Sequence, residues 1–246
     1  MNKLMTHVVV GYPDMETTKK LLHHMIEAKV DSIELQIPFS DPLADGPKLM
    51  AANDIAVNNG VSVQETLDAI KEISASNTKT FIMSYMQPII SFGPEKFLRK
   101  AEEAGCEGYI LPDLPFDAPE MDGFIKIDKT LRHKIIPVLS PGMLNHRLKS
   151  IFNKLNPETV YITARSGITG DHTNEYSNEL KQLIKDVKEL SDAKLAVGFG
   201  IQTVEDVQNV LKIADLAVVG SAVTEELGGS LVRATALVDK LADAAS

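Results

Sequence analysis

The sequence is poor in cysteine, in tryptophan and in long apolar runs. Its single cysteine, Cys106, cannot form an intramolecular disulfide, which favours a reducing compartment. No apolar run approaches the roughly 18 residues of a membrane span, and the segment before Gly11 is too short for a secretion signal. We therefore expect a soluble cytoplasmic protein.

Positive charge is also scarce, since 25 lysines and arginines face 34 acidic residues and leave a net charge of −9. Such a surface repels nucleic acid and anionic lipid, so neither is an expected partner. An anionic ligand would have to be held by local donors. The six histidines lack metal-ligand spacing, and the sequence contains neither a Walker loop nor a dinucleotide fingerprint. We expect no metal and no cofactor in this chain.

Short β-branched apolar segments alternate with longer amphipathic ones along the whole chain. Runs that are apolar without strict alternation are typical of parallel strands covered by helices. Eight strand-then-helix periods predict an α/β fold, a single (β/α)8 TIM barrel forming one domain over residues 1–246, because open doubly wound sheets need only about five or six strands. The predicted strands are 6–10, 32–37, 80–85, 108–111, 135–138, 160–163, 195–197 and 216–219. The predicted helices are 15–28, 49–58, 63–74, 95–104, 145–153, 175–190, 204–213 and 231–242.

One acidic residue, Glu34, interrupts an otherwise apolar predicted strand. Its side chain is expected to point into the barrel, because the outer face of the strand packs on helices. Burial without a cationic partner favours the neutral carboxyl, which can then both give and take a proton near neutral pH. A purely structural glutamate is an equally good interpretation of Glu34 taken alone.

Two further acids, Asp41 and Asp45, follow the same strand in a loop rich in proline and glycine. Loops after barrel strands lie at the carboxyl-terminal face, where such barrels keep their active sites. Aspartates in such loops most often form turns by bonding their own backbone, and this is the better interpretation of each in isolation. Asp45 is also placed to cap the helix that follows.

Three glycine-bearing turns follow the last three predicted strands, at 165–170, 198–201 and 220–222. Glycine lets backbone N–H groups approach a ligand closely, and a helix N-terminus supplies unpaired donors for an anion. The loops after strands seven and eight form the common phosphate site of these barrels. The three turns together predict a phosphate-binding site.

The segment IELQIPFSDPLADGP, residues 33–47, resembles the signature of the tryptophan synthase alpha chain family. Further similarities occur in the family's order and extend over nearly the whole chain. They lie at 11–14, 85–88, 112–115, 165–170, 198–201 and 220–222.

The resemblance implies a lyase that splits indole-3-glycerol phosphate into indole and glyceraldehyde 3-phosphate by a retro-aldol step, for L-tryptophan biosynthesis. It implies that Glu34 is the general acid–base, that Asp45 binds the indole N–H, and that Tyr161 lies near the glutamate. Thr169 would contact Asp45 when a mobile lid, residues 165–174, closes. The residues implied to bind substrate or its phosphate are Gly170, Gly200, Gly220, Ser221, Phe199 and Tyr85.

The resemblance also implies a partner, a beta chain that carries pyridoxal phosphate and forms an alpha2beta2 heterotetramer with this chain. Departures from the family pattern are His7 in place of an aromatic or apolar residue, Gln36 in place of glycine, Met50 and Gln87. By strand parity Gln36 faces inward with Glu34, where it would narrow the pocket or bond Glu34. An alternative to the lyase is therefore a low-activity barrel that mainly activates a beta chain, and a different phosphate-binding lyase or isomerase is a third reading.

Overall fold

The fold is built around nine parallel strands, in a computed structural model that describes residues 2–116, 121–131, 134–163, 177–198 and 200–246. Each strand pairs with neighbours in parallel register. The strands are β1 Leu4–Val9, β2 Ser32–Gln36, β3 Lys79–Met83, β4 Gly108–Ile110, β5 Lys134–Ile136, β6 Val138–Leu139, β7 Thr159–Thr163, β8 Lys194–Gly198 and β9 Leu216–Val219.

The strands form a nearly closed barrel, which confirms the predicted fold class. The strand order begins with β5, passes through β1 and ends with β6. These two terminal strands follow each other directly in the chain and are separated only by Pro137. The segment 135–138 was predicted as one strand, but it divides at the proline: β5 pairs with β4, whereas β6 pairs with β7. The Pro137 carbonyl accepts the Tyr161 N–H at 3.0 Å, so this break is where the ring closes.

Helices surround the strands, and eight of them lie where periodicity predicted them, within a few residues at each end. Asn59 and Gly60 separate α2 from α3, as the sequence indicated. In the described part of the chain, three helices lie outside the predicted set: α4, α6 and α10. The helices are α1 Met15–Glu27, α2 Pro47–Asn58, α3 Val63–Ile73, α4 Met86–Phe92, α5 Pro94–Ala104, α6 Met121–Asp128, α7 Asn145–Leu155, α8 Asn178–Leu190, α9 Val204–Val210, α10 Ser221–Gly229 and α11 Leu231–Ala244. Among the described helices, none is both long and apolar enough to cross a membrane.

The barrel strands lie between two apolar layers, one inside the barrel and one between the strands and the surrounding helices. Ile33 and Leu35 of β2 pack outward into the large cluster between strands and helices. The intervening Ser32, Glu34 and Gln36 are also buried, and therefore face the barrel interior. The apolar residues of that interior are Met5, Met83, Tyr85, Ile110, Ile136, Tyr161, Ala196, Leu216 and Val218.

The amino-terminal end of the barrel is open. A cavity of about 800 Å³ is bounded there by Met5, Phe81 and Leu216, and by Lys79 and Lys134 at the beginnings of their strands. His7, Glu34 and Gln36 lie further along β1 and β2, toward the loop that follows β2. The amino-terminal cavity and the polar interior are thus separate features of one barrel.

Candidate active site

Glu34 lies in the middle of β2 with its side chain inside the barrel, as predicted. Its residue exposure is 3 %. In the parallel register it stands opposite His7 of β1 and Phe81 of β3. Within the described residues, Glu34 Oε2 makes no hydrogen bond, although it is fully buried. An unpaired buried carboxyl oxygen is costly, so this atom is available to a ligand or to a shared proton.

His7 lies beside Glu34 and provides the partner that the sequence interpretation did not anticipate. Its Nδ1 is 3.4 Å from Glu34 Oε2, and both side chains are almost completely buried. Burial disfavours the charged imidazole, but the charge and contact of Glu34, with help from Asp45 and Gln36, outweigh it and raise the pKa of His7. The sequence argument assumed burial of Glu34 without a cationic partner, whereas a protonated His7 would be such a partner.

Gln36 connects His7 to the loop acid Asp45. Gln36 Oε1 is 2.9 Å from His7 Nε2, and Gln36 Nε2 donates to Asp45 Oδ2 at 2.7 Å. The inward direction predicted from strand parity is confirmed, but the hydrogen bonds of Gln36 go to His7 and Asp45. The four side chains form a continuous series across the barrel mouth: Glu34, His7, Gln36 and Asp45.

The Asp45 carboxylate is held by other side chains, although the Asp45 N–H closes a backbone turn on the Pro42 carbonyl at 2.9 Å. Besides Gln36, Asn53 of α2 donates from Nδ2 to Asp45 Oδ2 at 3.3 Å. The helix cap is Gly46, which makes no side-chain capping bond, so the capping interpretation of Asp45 is wrong. Burial raises the pKa of Asp45, although the Gln36 hydrogen bond and the His7 charge oppose that shift. Asp45 is half-buried and so retains more solvent contact than Glu34.

Asn53 is a site residue that the sequence gave no reason to single out. It is fully buried, and its Oδ1 accepts the Phe39 N–H at 3.0 Å while its Nδ2 also donates to the Leu49 carbonyl at 2.8 Å. It therefore ties α2 to the beginning of the loop that carries Asp45. The one signal in the sequence that could have identified Asn53 is an asparagine among the apolar positions of the helical pattern 49–58.

Tyr161 of β7 faces the same interior as Glu34. Burial raises the pKa of Tyr161 well above its ordinary value, and the negative charges of Glu34 and Asp45 add to that effect. Its hydroxyl lies over Gly198 at the end of β8, where a Cβ would come within 2.1 Å of the oxygen. Gly198 was noted only as part of a phosphate turn, but its lack of a side chain is what accommodates Tyr161.

Tyr85 and Phe39 form the aromatic wall of the mouth. Their ring centroids are 5.4 Å apart, and the Tyr85 hydroxyl accepts the Ala44 N–H at 3.0 Å. Burial and the nearby Asp45 charge raise the pKa of Tyr85. Tyr85 also precedes α4, whose first N–H group, that of Met86, donates to the Asp113 carboxylate at 3.0 Å. Two separate sequence motifs thus meet at this wall.

Of the predicted phosphate donors, Gly220 and Ser221 begin α10 and Gly200 follows β8. Gly220 makes no side-chain capping bond to α10. By contrast, α9 is capped by its own Thr203 and Asp206. Gly200 has φ +81°, a conformation that favours glycine. The backbone N–H groups at the start of α10 are consequently freer than those of α9 to donate hydrogen bonds to an anion.

Gly220 has a second role, because it packs against His7. A Cβ at position 220 would lie 3.0 Å from His7 Cβ and 3.2 Å from Cγ. The start of α10 therefore supports the imidazole that adjoins Glu34. The whole predicted lid, 165–174, with its Thr169 and Gly170, lies outside the described residues, and so does the predicted pocket residue Phe199.

Comparisons with known proteins agree on one family. The family model described as Tryptophan synthase alpha chain matches residues 1–246. The chain is 34 % identical to the tryptophan synthase alpha chain of Thermotoga petrophila over 225 residues, which cover 90 % of this chain and 89 % of that one. It is 35 % identical to Saccharomyces cerevisiae tryptophan synthase over 92 % of its own length, but spans only 32 % of that protein. A solved structure of Mycobacterium tuberculosis tryptophan synthase superposes with a TM-score of 0.90 at 29 % identity, covering 99 % of this chain and 92 % of the other.

Proposed function

Because the chain belongs to the tryptophan synthase alpha chain family, we propose that it is the lyase that cleaves indole-3-glycerol phosphate to indole and glyceraldehyde 3-phosphate in L-tryptophan biosynthesis. Residues 1–246 would form one catalytic domain acting in the cytoplasm. The observation that carries the proposal is the convergence of Glu34, Asp45 and Tyr161 at one barrel mouth.

In this reaction Glu34 handles both protons. Its protonated carboxyl gives a proton to C3 of the indole ring, and the resulting carboxylate takes the proton of the glycerol hydroxyl. The bond between the ring carbon and the hydroxyl-bearing carbon breaks, its electron pair returns to the ring, and an aldehyde leaves. Glu34 is buried, and its Oε2 makes no hydrogen bond within the described part of the chain, which suits a group that must bond the substrate.

Asp45 stabilises the charge that develops during the same step. Protonation of C3 places positive charge on the indole nitrogen, and a carboxylate that accepts the N–H hydrogen bond offsets it. Gln36 and Asn53 fix the direction of this carboxylate before substrate binds. Tyr161 would lie beside the glutamate, with Tyr85 and Phe199 lining the pocket around the ring.

The phosphate of the substrate is assigned to the backbone N–H groups of Gly200, Gly220 and Ser221, together with Gly170. With a net charge of −9 the protein attracts no anion at long range, so local amides must supply the binding. The uncapped start of α10 supports this assignment. Thr169 would contact Asp45 from the lid.

A beta chain carrying pyridoxal phosphate is the proposed partner, in an alpha2beta2 assembly, and this chain would need no cofactor of its own. The loop that carries Asp45 also carries Leu43, which is 91 % exposed, and the neighbouring helix presents the partly exposed Met50. Apolar side chains exposed beside an active site suit a protein contact there.

The direct test is indole release from indole-3-glycerol phosphate by the purified chain, measured alone and in a titration with a beta chain of the family. We expect slow release alone and a saturable increase with the beta chain. Release of no indole under either condition would contradict the lyase. Stimulation of the beta chain without indole release would instead support the low-activity alternative, which the retained Glu34, Asp45 and Tyr161 disfavour.

A further inference from the structure

We propose that His7 is a positioning residue that shares a single proton with Glu34, and that Gln36 determines which nitrogen of the His7 ring is available to share it. The catalytic consequence of this inference depends on the proposed function, whereas the protonation pattern itself does not. The inference starts from the hydrogen bonds of Gln36.

Gln36 determines the protonation of His7 Nε2. The Gln36 amide must place its NH2 group toward Asp45 Oδ2, because that carboxylate oxygen, 2.7 Å away, accepts but does not donate. Its carbonyl oxygen then faces His7 Nε2 at 2.9 Å and requires an N–H there. A neutral imidazole carries only one N–H, so its Nδ1 is left with a lone pair.

That lone pair would face a carboxylate. His7 Nδ1 and Glu34 Oε2 are 3.4 Å apart, both are buried, and neither can donate when both are unprotonated. Two buried acceptors at this separation are unfavourable. One proton on either Nδ1 or Oε2 removes the conflict, since it gives an imidazolium beside a carboxylate or an imidazole beside a carboxylic acid. The pair therefore retains one proton over a broad pH range.

The surroundings of His7 favour retention of that proton. The groups that face the ring are Glu34 and Gln36 from β2, Asp45 from the following loop and Gly220 from the start of α10. Among the described residues, two acids and no cation influence the imidazole. Tyr161 stays protonated mainly because burial raises its pKa, and the same two acids add to that effect. The negative surroundings raise the pKa of His7 despite its burial.

The shared proton serves the two steps assigned to Glu34. When the proton resides on Oε2, Glu34 can donate it to the ring carbon and the pair is left with none. Glu34 then takes the hydroxyl proton of the substrate, so that the pair again holds one. His7 stores the proton between turnovers but never touches the substrate, and the proton count is unchanged over the cycle.

Nitrogen-15 NMR of the full chain, labelled at histidine, tests the protonation pattern without substrate. We expect the His7 ring to titrate above the ordinary value of 6.5 and to keep its Nε2 proton at all accessible pH values. In Gln36→Leu, which retains the side-chain bulk without the amide, the neutral ring should become a mixture of both tautomers. A wild-type ring that shows the neutral Nδ1–H tautomer would overturn the proposal.

The pH dependence of kcat/KM provides the second test. A proton that His7 and Glu34 can both hold is bound at least as tightly as a proton held by either group alone. Replacing His7 by Phe should therefore lower the apparent pKa of the alkaline limb by about one unit. At a pH above the alkaline limbs of both proteins, kcat/KM of the variant should be about tenfold lower than that of the wild type. The control is His24→Gln, which alters a partly exposed histidine whose Nε2 is 2.8 Å from Asp239 Oδ1 and should leave the profile unchanged.

An alkaline limb that does not move in His7→Phe would refute proton sharing. If that variant does not fold, the Gln36→Leu spectrum still decides the tautomer. If the wild-type chain releases no indole, the proposed lyase fails, while the NMR result continues to decide whether His7 and Glu34 share a proton.

Discussion

The two ends of the barrel hold ionisable side chains in opposite environments. At the carboxyl-terminal mouth, Glu34 and His7 are buried and are linked through Gln36 to Asp45. At the amino-terminal end, Lys134 pairs with Glu158, and the two side chains remain 49 % and 72 % exposed. Exposed ion pairs contribute at most about 1 kcal/mol because water screens them, whereas burial alters the protonation of each group at the mouth. The lesson is that desolvation, rather than the presence of charge, distinguishes the candidate active site.

The largest difference between the two ends of the barrel should appear when one acid at the mouth is neutralised. Glu34→Gln retains the side-chain shape but cannot carry a proton between the ring and the hydroxyl, so indole release should fall by about 10²–10⁴-fold. The matched change at the other end, Lys134→Gln, should alter the rate by less than roughly twofold. Steady-state kinetics of both variants provide the measurement, and an undiminished rate in Glu34→Gln would remove Glu34 from the mechanism.

The next largest effect should come from Asp45→Asn. Loss of one preorganised charge that stabilises a transition state typically costs about 10²–10³-fold in kcat, and we expect a loss of roughly 10–10³-fold here. The neighbouring Asp41 is exposed and bonds Ser40, so Asp41→Asn serves as the control and should leave kcat unchanged. Equal rates for the two variants would return Asp45 to the role of a turn residue.

A smaller effect, on packing, should follow Gly198→Ala. The new methyl group would lie 2.1 Å from the Tyr161 hydroxyl, and the buried ring has little room to move. We expect a loss of about 1–3 kcal/mol in unfolding free energy, together with slower indole release. In Gly123→Ala on α6, where a Cβ meets nothing within 4 Å, denaturant unfolding should show no loss. Unchanged stability in Gly198→Ala would mean that Tyr161 does not occupy this position.

The smallest effect sharpens the comparison with Asp128, a buried acid outside the candidate active site. Asp128 ends α6 near the beginning of β5, and within the described residues its Oδ1 has no hydrogen bond. Burial raises the pKa of Asp128 to about 7, although the Ile135 N–H and Lys129 oppose that shift. The folded state therefore binds this proton more tightly than the unfolded state, and the stability that it contributes is lost as pH rises toward 7.

Asp128→Asn removes that ionisation. Between pH 5.5 and pH 7, the unfolding free energy of the wild type should fall relative to the variant by about 1–2 kcal/mol. Urea unfolding at the two pH values measures this difference. A constant difference between the two proteins would show that Asp128 does not titrate in this range.

Much of the fold could be predicted because the barrel strands are buried on both faces. Such strands consist of continuous apolar runs, and these runs predicted the ends of strands such as β2 and β9 to within one residue. The short helices α4 and α6 could not be found in this way. One contains Pro88 and the other Gly123, so their intrinsic helix propensity is low and packing on the barrel determines them. The division of the predicted strand 135–138 at Pro137 follows from closure of the barrel, which a pattern of neighbouring residues does not indicate.

The candidate site was predictable in part. The apolar residues on either side of Glu34 predicted that its side chain faces inward. Because alternate residues of a strand point to the same face, Gln36 was predicted to face inward as well. Parity does not specify which neighbour a long side chain bonds, so the link from Gln36 to His7 and Asp45 could not be derived. Likewise, Gly198 was visible as a turn residue, but its contact with Tyr161 depends on how β7 and β8 align.

By itself, the sequence determined which residues of β2 point into the barrel and which loops lie at the mouth, because both depend on the order of residues along one segment. Only the tertiary structure decided that His7 stands opposite Glu34 and that Asp45 folds back onto Gln36. These contacts join residues of different segments, and their distances are set by strand register and by closure of the barrel. The protonation of the site arises from those distances, since charges interact through space.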